Sequence, residues 1–419
     1  MLTPATVKTW CGRTTDAHAV DCDVNLSLGH PATLVFLPHA PHTVTMCAVG
    51  QRIRERATAG LSPFLLVVGV AVASAGQNAP ARADVQNEAT WAFLRARNAR
   101  DYAIVTPNGI DEGQYVQVGG IQQWITIRGE DRNNPVLLFL HGGPGDATNP
   151  WGYAGFRLWL RHFTVVQWDQ RGAGRTLGNN RAAPLHDMTV ARMTQDGVEL
   201  ADILRKQLRK DKIVLVGHSW GSILGVLMVK ARPDLFYAFV GTGQVADPAT
   251  SYTVAHRELL KKAETLKDER AIRELLDVGP PPYPDGRGYG VQRKWSNLFE
   301  GADAFIASMV GFALTAPGYT LRDVNDWFDG QNASAERLVP QTSALDARTL
   351  GGEFAAPVFV IQGAEDFTTP TSLARSFIDA VRAPEKGFVA IEGGGHFAVF
   401  MKSGAFLDQL VARVLPLAR

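Results

Sequence analysis

Cysteine is nearly missing from this sequence: Cys11, Cys22 and Cys47 lie in the first 50 of 419 positions, and none follows. Beyond residue 50 the chain can build no disulfide framework, thiolate metal site or cysteine nucleophile. An excess of charge is missing too, with 42 Lys and Arg against 41 Asp and Glu and a formal charge of +1. A nucleic-acid partner would leave a basic stripe, and there is none. No His-Glu-x-x-His string or close histidine cluster offers a zinc site, so no metal or cofactor is expected. What is present is ordinary globular composition, 46% hydrophobic and 20% charged, enough to build a large core.

The first 83 residues read differently from the rest. A basic flank (Gln51-Arg-Ile-Arg-Glu-Arg56) precedes an apolar stretch from Phe64 to Ala73, followed by Ala73-Ser74-Ala75 and Ala81-Arg82-Ala83. That order is a secretory signal peptide, over 46–75 or 46–83, whose apolar core is too short for a stable membrane span. Its distance from Met1 points to Met46 as the start, with an N-terminal extension as the alternative. A mature chain beginning near Asp84 would work in the periplasm or outside the cell.

From residue 114 to 129 apolar and polar residues alternate about Gly119-Gly120, which predicts a hairpin. Apolar runs Val136–Leu140, Phe163–Trp168 and Ile213–Val216 suit strands buried on both faces, with helical spacing at Thr189–Leu208 and Ile223–Lys230. The alternation predicts an α/β fold, a mostly parallel sheet with helices on both faces. From 246 to 345 no buried-strand run occurs, and the segment reads as a mostly helical cap. The strand pattern resumes at Val358–Gln362 and Phe388–Ile391. The core is therefore expected over 84–245 and 346–419, with the cap between.

Gly217-His218-Ser219-Trp220-Gly221 joins an apolar strand to an apolar helix, the setting of the G-x-S-x-G nucleophile elbow of α/β-hydrolases. A serine hydroxyl needs a base, and the base a carboxylate to fix its tautomer. In that fold the order is Ser, acid, His. Past one strand end stand Glu365 and Asp366, of which the shorter Asp366 suits the tight loop better; past the next, Gly393-Gly394-Gly395 delivers His396. The candidate triad is Ser219, Asp366 and His396. Gly142, Gly143 and the backbone of Trp220 are placed to supply oxyanion N–H donors. His141 is expected to hydrogen-bond around that loop, and His162, His186 and His218 are read as structural.

His141-Gly142-Gly143-Pro144-Gly145, the string Asp169-Gln-Arg-Gly-Ala-Gly-Arg-Thr176, and Gly217-His-Ser-Trp-Gly-Ser222 together resemble the proline iminopeptidases, a branch of the α/β-hydrolases. The resemblance covers residues 110 to 419, least well in the cap. It implies release of an N-terminal residue, often proline, from a small-molecule or short-peptide substrate, with acidic cap residues holding the free amino group. The family's Trp-x-x-Trp-Glu string has its nearest match in Trp295-Ser-Asn-Leu-Phe299-Glu300, with Phe299 for the second Trp and one extra residue before the acid. On that match Trp295 and Glu300 would bind substrate. Asp169 and Arg171 flank a glycine-rich turn near the oxyanion loop and are read as part of a structural loop without catalytic part, with bracing of that turn by ion pairing as the alternative. Two other functions remain open on the residues: a carboxylesterase or amidase with the same triad, and a binding protein on an inactive scaffold. Dehalogenase and epoxide hydrolase chemistry would need an acid at position 219.

Overall fold

The computed structural model describes residues 81–182, 187–283 and 286–418. The leader reading up to residue 80, with all three cysteines, lies outside the described residues.

Eight strands, β1 (Ile110–Val118), β2 (Ile121–Gly129), β3 (Val136–Leu140), β4 (Thr164–Trp168), β5 (Ile213–His218), β6 (Phe236–Thr242), β7 (Val358–Gly363) and β8 (Lys386–Ile391), form one sheet ordered β1-β2-β4-β3-β5-β6-β7-β8. The first two pairings, β1 with β2 and β2 with β4, are antiparallel and all later ones parallel. Every residue of β3, β4, β5 and β7 is buried, because alternate side chains feed two separate cores. Leu138, Leu140 and Leu215 point into one, and Leu137, Phe139 and Val214 into the other.

Helices cover both faces. In chain order they are α1 (Ala81–Asp101), α2 (Asn149–Gly155), α3 (Gly174–Asn179), α4 (Val190–Gln207) and α5 (Trp220–Ala231). The segment between β6 and β7 follows with α6 (Pro248–Leu266), α7 (Glu269–Val278), α8 (Gly286–Glu300), α9 (Asp303–Leu314), α10 (Leu321–Ser343) and α11 (Ala347–Leu350). After β7 come α12 (Thr371–Ala380), α13 (Ala398–Met401) and α14 (Ser403–Arg413). Thr189 caps α4 by accepting the Arg192 N–H, and Thr320 with Asp323 forms a capping box at α10. Among the described residues no single helix is long and apolar enough to cross a membrane.

The helices between β6 and β7 carry two small cores of their own. Leu259, Ala263, Ala271, Leu275 and Trp295 pack with Phe367 of the β7 side. Met309, Ala313, Val324 and Trp327 pack with Ala147, Trp151 and Ala173 of the β3 and β4 side. They are thus seated on loops at the carboxyl ends of the parallel strands, where open α/β sheets bind ligands.

Candidate active site

Strand β5 ends at His218, and Ser219 follows with φ 55° and ψ −120° before α5 begins. Such a backbone in a residue with a side chain costs on the order of 1–3 kcal/mol and persists only where its surroundings fix it. Here the Ser219 N–H donates to Thr242 O at 3.0 Å, and its carbonyl accepts the Ser222 N–H at 2.8 Å and the Ser222 hydroxyl at 2.6 Å. Ser222 Oγ in turn accepts the Val245 N–H, which joins the turn to the segment after β6. The turn leaves Ser219 partly exposed between buried neighbours.

His396 and Asp366 arrive on the loops after β8 and β7, neighbouring parallel strands. The His396 Nδ1 lies 3.1 Å from Asp366 Oδ2 and 3.2 Å from Oδ1. That contact puts the ring proton on Nδ1 and leaves Nε2 an acceptor. Asp366 also accepts the amides of Thr368 and Thr369 and the Thr369 hydroxyl. Burial alone would raise its pKa, but the His396 ring and these bonds outweigh burial and hold it below the ordinary value. Glu365 lies outside this arrangement, paired with Lys262 of α6 at 2.7 Å.

Several supports were not legible as motifs. Thr369 Oγ1 touches both Asp366 Oδ2 and His396 Nδ1. His218, read as structural, packs its ring 4.8 Å from that of His396 and donates Nε2–H to the His396 carbonyl at 3.0 Å. Burial and the neighbouring His396 push the His218 pKa down to about 3, so it is neutral at physiological pH. Gln362 at the end of β7 accepts the Gln244 N–H and donates to Thr369 O, coupling the β6 and β7 loops.

The glycine loop after β3 closes the site from the other side. A Cβ on Gly142 would sit 3.1 Å from both Ser219 Cβ and His218 Nδ1, so a side chain there would push the loop and the elbow apart by a few tenths of an ångström. Trp220 opens α5, where backbone N–H groups have no partner within the helix. His141 is buried and burial lowers its pKa to about 4. As a neutral ring it accepts the Gln170 N–H at Nε2 and donates Nδ1–H to Gly142 O at 2.9 Å. Gln170 completes the connection: its Nε2 donates to His141 O and its Oε1 accepts the Trp220 indole N–H.

That result corrects the ion-pair reading of the Asp169–Thr176 string. Arg171 reaches away from the oxyanion loop to Asp196 of α4 at 2.8 Å and to Gly119 O. Asp169 instead accepts Asn149 Nδ2 and the Arg175 N–H, and burial, only partly offset by these bonds, raises its pKa to about 7. The residue that reaches the site is Gln170, which lies between them.

The two cap residues have partners of their own. Trp295 is buried in the α6–α8 core and its indole N–H donates to Glu274 at 3.0 Å. Glu300 Oε1 accepts the Phe367 N–H at 2.9 Å and Oε2 the His396 N–H at 2.6 Å. Burial, and next the Asp366 charge, raise the Glu300 pKa to about 8. A second buried carboxylate, Asp146, follows the glycine loop, accepts the Trp327 indole N–H and Gln331 Nε2, and has its pKa raised by burial to about 6.

Residues 135–403 match the family described as alpha/beta hydrolase fold. The probable aminopeptidase YbaC of Bacillus subtilis is 30% identical over 301 residues, 70% of this chain and 93% of that protein. The proline iminopeptidase of Lactobacillus delbrueckii subsp. bulgaricus is 32% identical over 169 residues, 40% of this chain and 54% of that enzyme, so the match spans about half its length. Among solved structures, a proline iminopeptidase-related protein from Thermus thermophilus superposes with a TM-score of 0.50 at 19% identity, over 74% of this chain and 99% of that one. On fold, site geometry and sequence alike, the chain belongs to the α/β-hydrolase fold family, beside relatives named aminopeptidase and proline iminopeptidase.

Proposed function

We propose that this hydrolase cleaves an amide or peptide bond through a Ser219 acyl-enzyme, as an aminopeptidase of the proline iminopeptidase type. The carrying observation is the buried Asp366 on His396 Nδ1 beside a strained serine elbow. In this reading Nε2 of His396 takes the Ser219 hydroxyl proton as Oγ attacks the carbonyl carbon, then returns it to the departing amine. The backbone N–H groups of Gly143 and Trp220, with Gly142 shaping the loop, hold the oxyanion of each tetrahedral intermediate. Water, deprotonated by the same nitrogen, then frees the acyl group. Peptide specificity is supported by the names of the relatives, YbaC above all for its coverage. The sequence before residue 84 supports export to the periplasm or beyond.

One observation favours a carboxylesterase or amidase for small non-peptide substrates instead: both Glu300 oxygens already accept backbone amides, and Trp295 is buried. Hydrolysis of proline p-nitroanilide and p-nitrophenyl butyrate by the wild type and Ser219→Ala decides. Anilide turnover that the variant loses is the expected result. Ester turnover alone, equally lost, selects the second reading; activity surviving in Ser219→Ala removes the nucleophile assignment.

A further inference from the structure

The cap grips the acid loop at consecutive residues. Glu365 pairs with Lys262 of α6. The Phe367 ring meets the Phe299 ring of α8, its centroid 6.4 Å away, and the Phe367 N–H donates to Glu300. The Thr368 hydroxyl accepts from Arg293, two turns earlier on α8. Only Asp366 in this run faces inward, to His396. Glu300 also reaches the base loop, through the His396 N–H. A Cβ on Gly395 would lie 2.5 Å from Glu300 Cγ, so the glycine before the base leaves room for this side chain.

We propose that Glu300 is a positioning residue of the reaction: one carboxylate, carried by the cap, clamps the acid loop to the base loop and sets the Asp366–His396 contact. The inference rests on the triad reading above, not on the aminopeptidase one. A carboxyl side chain is suited to the task because each of its two oxygens accepts one of the two backbone N–H groups. An amide side chain can satisfy one of the two N–H groups but turns its own NH2 toward the other. The role differs from the one the family resemblance implies for this position, which is to meet the substrate's ammonium. The two roles separate on a substrate that has no amino group.

The test compares Glu300→Gln and Glu300→Ala with the wild type. Readouts are turnover of p-nitrophenyl butyrate and proline p-nitroanilide, the rate of Ser219 labelling by a fluorophosphonate, and thermal unfolding. The expected result is a tenfold to hundredfold fall in kcat for the ester and an equal fall in labelling rate. KM stays within about twofold, the thermal transition remains cooperative, and Gln falls less than Ala. Loss confined to the free-amine substrate, or loss carried by KM, would overturn the clamp in favour of substrate recognition. Unchanged ester kinetics would overturn it outright, as would loss of the cooperative transition in both variants, which makes Glu300 a stability residue only. If the wild type turns over ester but not anilide, the aminopeptidase reading fails while labelling and ester kinetics still decide the role of Glu300.

Discussion

At the residue scale, histidines that do no proton transfer have a cost at low pH. His141 stays neutral down to about 4 because burial opposes its charge. In the unfolded chain it takes up a proton below roughly pH 6.5. The unfolded state therefore binds more protons between those values, and stability is complete above the unfolded pKa and lost as pH falls toward the folded one. At about 1.4 kcal/mol for each tenfold change in proton affinity, the effect is on the order of 3 kcal/mol. Melting temperature followed from pH 7 to pH 4 should thus fall less steeply in His141→Asn than in the wild type, whatever the offset at pH 7. An equal slope would place the acid sensitivity elsewhere. At this same scale the sequence was legible where chemistry is local. Ser219 and His396 stand out because glycines and strand ends announce them. Thr369, Gln170 and the His218 link did not, because each acts on a residue brought near only by the sheet.

Elements follow the same division. β3, β5 and β7 were readable from apolar runs, since strands covered on both faces need no polar side. β6, Phe236–Thr242, went unread because its glycine and threonine end and the adjoining helix α5 blur its bounds, although it places Thr242 to hold Ser219. In the cap, the helical spacing of Val254–Thr265 and Glu269–Asp277 makes α6 and α7 readable, but α8, α9 and α10 show only as a lack of strands: α9 is apolar on nearly every side and gives no face to follow. The buried Arg171 also acts between elements. Its partner Asp196 has no exposed surface and accepts from Gln123 of β2, Arg171 and Arg192 of α4. Arg171→Ala leaves that carboxylate with one fewer cation in a buried site, a loss of about 3–5 kcal/mol. Urea unfolding with an unchanged slope and a lower midpoint would show it; a midpoint shift worth under about 1 kcal/mol would mean Arg192 suffices.

For the molecule as a whole, the proposed export makes a mass prediction. Intact-mass measurement of secreted material should give a chain beginning after Ala75 or Ala83, free of cysteine. A secreted species that retains Cys47 would refute the leader. The order of the sheet has a different consequence, for the time at which activity arises. β6 and β7 pair directly, Val240 beside Phe359, yet a mostly helical segment of more than a hundred residues separates them. Closing so long a loop delays that pairing in folding. Ser219 follows the fifth of the eight strands to be synthesised, whereas Asp366 and His396 ride on the loops after the last two. On the proposed triad, a growing chain thus carries its serine unarmed until β7 and β8 have been made and have docked beside β6.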